Sequence, residues 1–365
     1  AVILGGVRNL LALLVLVAAC GRPAASTLPI LPGMGAAHRP IDTTSAEAQR
    51  HFDAGLALAY GFNYDEAAYE FVVAIHADPA CAMCEWGLAY VSSPNINDMF
   101  KQAPPAFDAA TRAVALAKTP VERALAKAML ARLGPMPTMD LAVRGKLNDA
   151  YLAAMREAAA VAPDDADVQT LLVEALISAT PPLEPGWRRD GSAAFPEVDE
   201  ARELLAKVLA RSPDHIGAIH FYIHVVDGGG RVADAIPYAE RLAALAPGAG
   251  HLVHMPSHLF LSLGRYADAE DANRAAIAAD LKGVALAAPG TGYEMFTMHP
   301  KDFLWWVCMW EGASACAREQ ATDLAGVMGK MAAMSPDAAD GAATYAAITA
   351  ARFGDWDAAL ALPAA

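Results

Sequence analysis

The chain has 365 residues, with 27 Lys+Arg against 41 Asp+Glu and a formal charge of −14. Hydrophobic residues make up 55% of it, too many for a disordered chain. The acidic balance speaks against a nucleic-acid partner, which needs a basic face, and five cysteines are too few for a disulfide scaffold of this length.

The first element is a lone Arg8 followed by the apolar run from Leu10 to Ala19 and then Cys20. A charged start, a short apolar stretch and small residues before a cleavage point are the parts of a secretory signal. About ten apolar residues are too few to span a hydrocarbon layer of roughly 30 Å. The ending Val17-Ala18-Ala19-Cys20 resembles a bacterial lipobox. Residues 1–20 therefore read as a signal peptide, and Cys20 as the lipidation site of a protein of the bacterial cell envelope, the alternative being an ordinary cleaved signal with an incidental Cys. It would sit on the periplasmic side or the outer cell surface and touch the membrane only through that anchor. Residues 21–45, rich in Pro, Ala, Gly, Ser and Thr, read as a flexible tether. No Met opens the chain and a nascent helix is cut off at its end, so it reads as a fragment at both ends.

From residue 46 to 365 the pattern is helical, with Ala-rich amphipathic segments broken by Pro, Gly and Asp. Gly55, Ala67, Phe71, Ala74 and Pro79 have spacings that resemble a tetratricopeptide repeat, in which small residues let two antiparallel helices pack closely. Ala201, Ala235 and Ala269 recur every 34 residues, as do Pro213 and Pro247, and 34 is the tetratricopeptide period. The expected fold is an all-α tetratricopeptide-repeat solenoid, truncated at its C-terminus. Its first helices would line the concave groove and its second helices the convex side. Pro163 opens another unit, followed by an insert around Pro181–Trp187.

Cys81 and Cys84 follow Pro79 at a helix start, where a thiol pKa is lowered. A disulfide is the favoured reading in an exported protein, with metal binding or a redox role as the alternatives. Cys308 and Cys316 are eight residues apart. On one straight helix that is about 12 Å by rise, too far to bridge, so they read as core thiols. Phe303–Trp310 is aromatic at helical spacing and reads as core. Met255, Met295 and Met298 lie near histidines, as a cuprous site would favour, but Met also fills cores. The stretch 282–298, with Gly283, Gly290 and Gly292, reads as a lid or ligand loop.

Six of the ten histidines fall in two segments, His215–His224 and His251–His258. His220 and His224 lie one 34-residue repeat before His254 and His258, so two His-x-x-x-His pairs occupy the same places on successive helices. Residues four apart share a helix face, with Cβ atoms about 5–6 Å apart, which suits two ligands of one ion. The same frame places Thr170 and Glu174 after Pro163, and Trp86 and Tyr90 after Pro79. The groove would then present Glu174, His220, His224, His254 and His258, with His251 pointing the same way as His254. Imidazoles with one carboxylate form a ligand set for Zn, Fe, Mn or Cu, and their number admits two ions. Glu174 would act as a ligand or general base, and Tyr222 or Tyr293 as supporting donors. The bland reading is that duplication copied structural histidines from one repeat to the next.

The segments Cys81–Gly87, Pro94–Asn97, Thr119–Ala124, His220–His224 and Gly248–His258 resemble a group of bacterial tetratricopeptide-repeat lipoproteins. The stretch Gly248-Ala-Gly-His-Leu-Val-His-Met-Pro-Ser-His258 is the most specific part, and the likeness runs over most of residues 50–312. It implies an architecture and a shared groove, without a reaction. Members commonly carry two His flanking an Asn before a Phe-Leu-Trp stretch. Here His299 keeps the first place, Asp302 replaces the second His and Pro300 stands at the Asn, so His299 joins the candidate ligands.

Two functions remain open at this stage. One is a lipid-anchored protein holding one or two transition-metal ions in its groove, as a metal-dependent enzyme, store or sensor. The other is a non-catalytic scaffold that takes a peptide, small molecule or partner protein in that groove. No P-loop, dinucleotide fingerprint, nucleophile elbow or zincin motif is present in the sequence.

Overall fold

Ala-rich segments with an apolar stripe become helices wherever a capping residue opens them and a turn residue closes them. The computed structural model describes residues 29–181, 184–229, 231–287, 297–331 and 336–361. In chain order the helices are α1 (Ala46–Tyr60), α2 (Tyr64–Ala77), α3 (Ala82–Val91), α4 (Pro105–Leu116), α5 (Pro120–Arg132) and α6 (Leu141–Val161). Next come α7 (Ala166–Ala179), α8 (Pro196–Arg211), α9 (Ile216–Val226), α10 (Val232–Leu245), α11 (Gly250–His254) and α12 (Pro256–Ser262). The series ends with α13 (Tyr266–Val284), α14 (Met298–Glu311), α15 (Ser314–Met331), α16 (Pro336–Arg352) and α17 (Trp356–Ala361). Among the described residues there is no strand, only an isolated bridge between Trp187 and Ala193. The start signals are legible chemistry: Thr119 and Glu122 cap α5 reciprocally, and Asp165 caps α7.

Successive helices pack as hairpins, and the first helices of neighbouring hairpins touch: α1 with α3, α3 with α5, α7 with α9, and α11 with α14. This is an all-α solenoid of helix hairpins, as expected. Its close crossings depend on small residues. The Phe71 ring of α2 lies against Gly55 of α1 and Gly87 of α3, where any Cβ would strike it. Ala201, Ala235 and Ala269, the periodic alanines, are all buried.

The array curls until α1 meets α9. The Tyr60 hydroxyl donates to Asp167 at 2.6 Å, and Gly217 of α9 leaves room for the Tyr60 ring. Part of the segment expected to be a free tether takes part in this closure. Leu31 and Met34 are buried, and Gly33 accepts a hydrogen bond of 2.8 Å from the Gly248 amide. The Arg39 guanidinium meets Asp165 at 2.7 Å and Asp167 at 3.4 Å. Residues 29–45 are therefore docked, because their apolar side chains and one arginine find matching surface on later repeats. The expected signal and Cys20 lie outside the described residues.

The cysteines divide differently from expectation. Cys81 and Cys84 form the expected disulfide, with Cα atoms 5.4 Å apart. Cys308 and Cys316, read as core thiols, are also bridged, with Cα atoms 5.8 Å apart. The straight-helix estimate fails because α14 stops at Glu311. Gly312, at φ +84°, reverses the chain into α15.

Candidate metal centre

The six groove histidines form two triads. His220, His224 and His251 are one, and His254, His258 and His299 are the other; within each, the ligating atoms lie within 4.8 Å of one another. Each triad joins an i, i+4 pair to one imidazole from the next inner helix of the array. His220 and His224 stand on α9 and receive His251 from α11. His254 closes α11, His258 lies in α12, and His299 comes from the first turn of α14. Pro256 opens α12 without disturbing the pair, since a first-turn proline forgoes only an amide that lacks a partner in the helix.

The ring nitrogens converge through Nε2. In the first triad, Nε2 of His220 lies 3.0 Å from that of His224 and 3.1 Å from that of His251. In the second, Nε2 of His254 and His258 are 3.0 Å apart. Two imidazoles on one tetrahedral zinc, at Zn–N of about 2.0–2.1 Å, stand about 3.3 Å apart. The observed spacing thus fits nitrogens arranged around a common centre.

The opposite nitrogens are held by acceptors. His220 Nδ1 donates to the Tyr60 carbonyl at 2.6 Å, His254 Nδ1 to the Asn273 side-chain oxygen at 2.6 Å, and His258 Nδ1 to the Asp227 carboxylate at 2.9 Å. The Asn273 amide nitrogen is committed to the Ala269 carbonyl at 2.7 Å, which orients its oxygen toward His254. Such partners fix the tautomer and leave the Nε2 lone pair free for a metal. A neutral His254 and a neutral His258 therefore turn lone pairs toward each other across 3.0 Å. That approach is favourable only with a cation present, either a metal ion or a proton.

Burial favours the neutral, ligating form of His220, His224, His251, His254 and His299. It pushes His220 down to about 3 and keeps His224, His251 and His254 well below the usual imidazole value, with neighbouring imidazoles adding to the effect. His299, the member at the solvent side, is lowered to about 4 by desolvation and by the nearby His258. The triads abut. Ring centroids are 5.9 Å apart for His251 and His254, 6.3 Å for His224 and His258, and 5.5 Å for His251 and His299.

One phenylalanine packs on each triad. Phe62 lies 4.3, 5.6 and 5.3 Å from the rings of His220, His224 and His251. Phe303 lies 4.9 and 4.4 Å from those of His254 and His258. Phe62 holds φ at 59°, the one left-handed residue other than glycine among those described, and such strain accumulates at functional sites.

Several expected members lie elsewhere. Glu174 is not brought to the imidazoles; both its oxygens pair with Arg132, at 2.9 and 2.5 Å, in a buried bridge. A buried guanidinium requires that counter-charge, so the carboxylate is spent on the fold. His251, expected to side with His254, completes the other triad instead, its Nε2 lying 3.1 Å from that of His220. Asp302 accepts from the Tyr345 hydroxyl at 2.6 Å and joins neither triad. His215 caps α9, accepting from the Ala218 amide at 3.1 Å, and its other nitrogen lies 3.1 Å from Asp167. Tyr222 lies beside Tyr238, with centroids 6.1 Å apart. Residues 288–296 of the expected lid, with Gly290, Gly292, Tyr293 and Met295, lie outside the described residues.

Sequence reasoning missed Asn273, Asp227, Phe62, Phe303 and the Tyr60 carbonyl. One signal existed for Asn273. It lies 19 residues after His254, the same offset that joins His51 to Glu70 in the first repeat.

No protein-family pattern matches the chain, and no curated protein matches it. Among solved structures, a MamA double mutant (MamA RS-1 ArsTM) has a TM-score of 0.36 at 16% identity, covering 49% of this chain and 83% of its own. The human IFIT1 dimer with PPP-AAAA has a TM-score of 0.41 at 16% identity, covering 86% of this chain and 70% of its own.

Proposed function

We propose that the chain is a bacterial cell-envelope protein, lipid-anchored through Cys20, whose repeat groove holds one or two transition-metal ions. His220, His224 and His251 would bind one ion, and His254, His258 and His299 the other. The single observation that carries this reading is the approach of His254 and His258. Their Nε2 atoms face each other at 3.0 Å while both Nδ1 atoms are taken by acceptors. The donor set fits the group, since imidazole nitrogens suit Zn, Cu and Fe, and each triad leaves coordination positions for a further ligand. In this reading Asn273, Asp227 and the Tyr60 carbonyl orient the rings, while Phe62 and Phe303 limit water at the ions. A bound ion would supply Lewis acidity or, for a redox metal, an electron.

Metal analysis of purified protein tests this, beside a variant carrying His220→Ala and His254→Ala. One or two equivalents of metal in the native chain, lost in the variant, is the expected result. Substoichiometric metal that the double replacement leaves unchanged would defeat the proposal.

A further inference from the structure

Resting on that reading, the geometry points to copper, held as a pair of cuprous ions, one in each triad. The first argument is charge. Neither triad contains a carboxylate or a thiolate; all six donors are imidazoles, and Asp227 reaches the centre only through His258. Glu174, the carboxylate that the repeat frame aims at the groove, is neutralised by Arg132. Two divalent ions would bring four positive charges to six neutral donors, whereas two cuprous ions bring two.

The second argument is proximity. The two sets of rings abut at centroid separations of 5.5–6.3 Å, so two ions would sit close to one another. Their repulsion scales with the product of their charges and is about fourfold larger for two dications than for two monocations at equal distance. Sites for paired dications usually offset this with bridging carboxylates, and none is present among the described residues of either triad.

The third argument is coordination number. Each triad supplies three nitrogens and carries a phenylalanine against its rings, Phe62 on one and Phe303 on the other. Cu(I) carries a single charge and is satisfied by two or three neutral donors, while Zn²⁺, equally d¹⁰, keeps the higher charge that recruits water or an anion as a fourth ligand. Imidazole is a good copper ligand, and copper lies at the top of the divalent affinity series as well.

The test uses the whole chain, stripped with a chelator and loaded under anaerobic conditions. Cu(I) is titrated against a chromogenic cuprous chelator, and in parallel the zinc-loaded protein is challenged with Cu(I) beside a zinc indicator. Two Cu(I) per chain, with release of bound zinc, is expected. The variant His254→Ala/His258→Ala, checked for native helicity by circular dichroism, should retain one Cu(I). Two zinc ions that resist excess Cu(I) overturn the copper assignment and leave the metal-binding reading standing. A single Cu(I) on the native chain overturns the pairing, and failure of both metals to bind overturns both conclusions.

Discussion

The backbone carbonyl of Tyr60 accepts a hydrogen bond of 2.6 Å from Nδ1 of His220, a residue 160 positions further along the chain. The first helix pair thereby orients a candidate ligand on α9. This contact exists only because the solenoid curls back on itself, so the site and the long-range closure of the fold depend on the same turn. Phe62, two residues after Tyr60, holds that turn in a left-handed conformation at φ 59° and packs on all three rings of the first triad.

Replacing Phe62 separates the ring from the strain. Phe62→Ala loses a buried aromatic ring and should destabilise the protein by about 3–5 kcal/mol. Phe62→Gly loses the same ring and relieves the left-handed backbone, which costs a residue with a Cβ about 1–2 kcal/mol. The glycine variant should therefore be the more stable of the two by roughly that amount, seen as a higher urea midpoint. Both should weaken metal binding at the first triad. Equal midpoints for the two variants would mean that the turn stores no strain.

The alternation of apolar helices with Pro and Gly, and the spacing of Ala201, Ala235 and Ala269, are enough to reveal the fold, because a repeat must satisfy the same packing in every unit. The His-x-x-x-His pairs were legible for the same reason, since one repeat of offset superimposes them. Their division into two triads was not legible. It depends on His251 meeting His220, 31 residues earlier, and no repeat spacing encodes that contact. Glu174 misled because frame alone cannot show that Arg132, 42 residues earlier, already claims it. The docking of residues 29–45 is not legible in the sequence because Pro, Ala, Gly and Ser pack well once a complementary surface exists, and that surface comes from helices more than 120 residues away.

Asn273 should matter for affinity at one triad alone. It accepts from His254 Nδ1 and is itself anchored to the Ala269 carbonyl. Removing such an outer partner commonly weakens metal binding about 10–100-fold. Asn273→Ala should lower the affinity of the second triad by that factor and leave the first unchanged, so calorimetric titration should resolve two unequal sites. Uniform weakening of both would show that the substitution acts through the fold instead.

Glu174 supplies a contrasting case, with stability changed and metal retained. Glu174→Ala strands the buried Arg132 guanidinium without its counter-charge, and breaking a buried pair in this way costs about 3–5 kcal/mol. Urea denaturation should record that loss, while metal content per folded chain remains that of the native protein. Loss of metal at unchanged stability would return Glu174 to the ligand set.

Asp280 gives the fold a pH dependence of definite sign. Its carboxylate is buried on α13 without a side-chain partner and faces the Gly250 amide that opens α11. Desolvation raises its pKa from 3.8 to about 7, the amide only partly offsetting it. In the unfolded chain the group ionises near its ordinary value, whereas the folded chain keeps the proton up to about 7. The unfolded state therefore binds fewer protons between those limits, and stability falls as pH rises from about 4 to 7. The loss saturates above the folded value, at a ceiling of about 4 kcal/mol at 1.36 kcal/mol per unit. Asp280→Asn removes the ionisation and keeps the shape. Its denaturation midpoint should exceed that of the native protein at pH 8, and the gap should shrink toward pH 4. A gap that stays constant with pH would assign the effect to packing instead of charge.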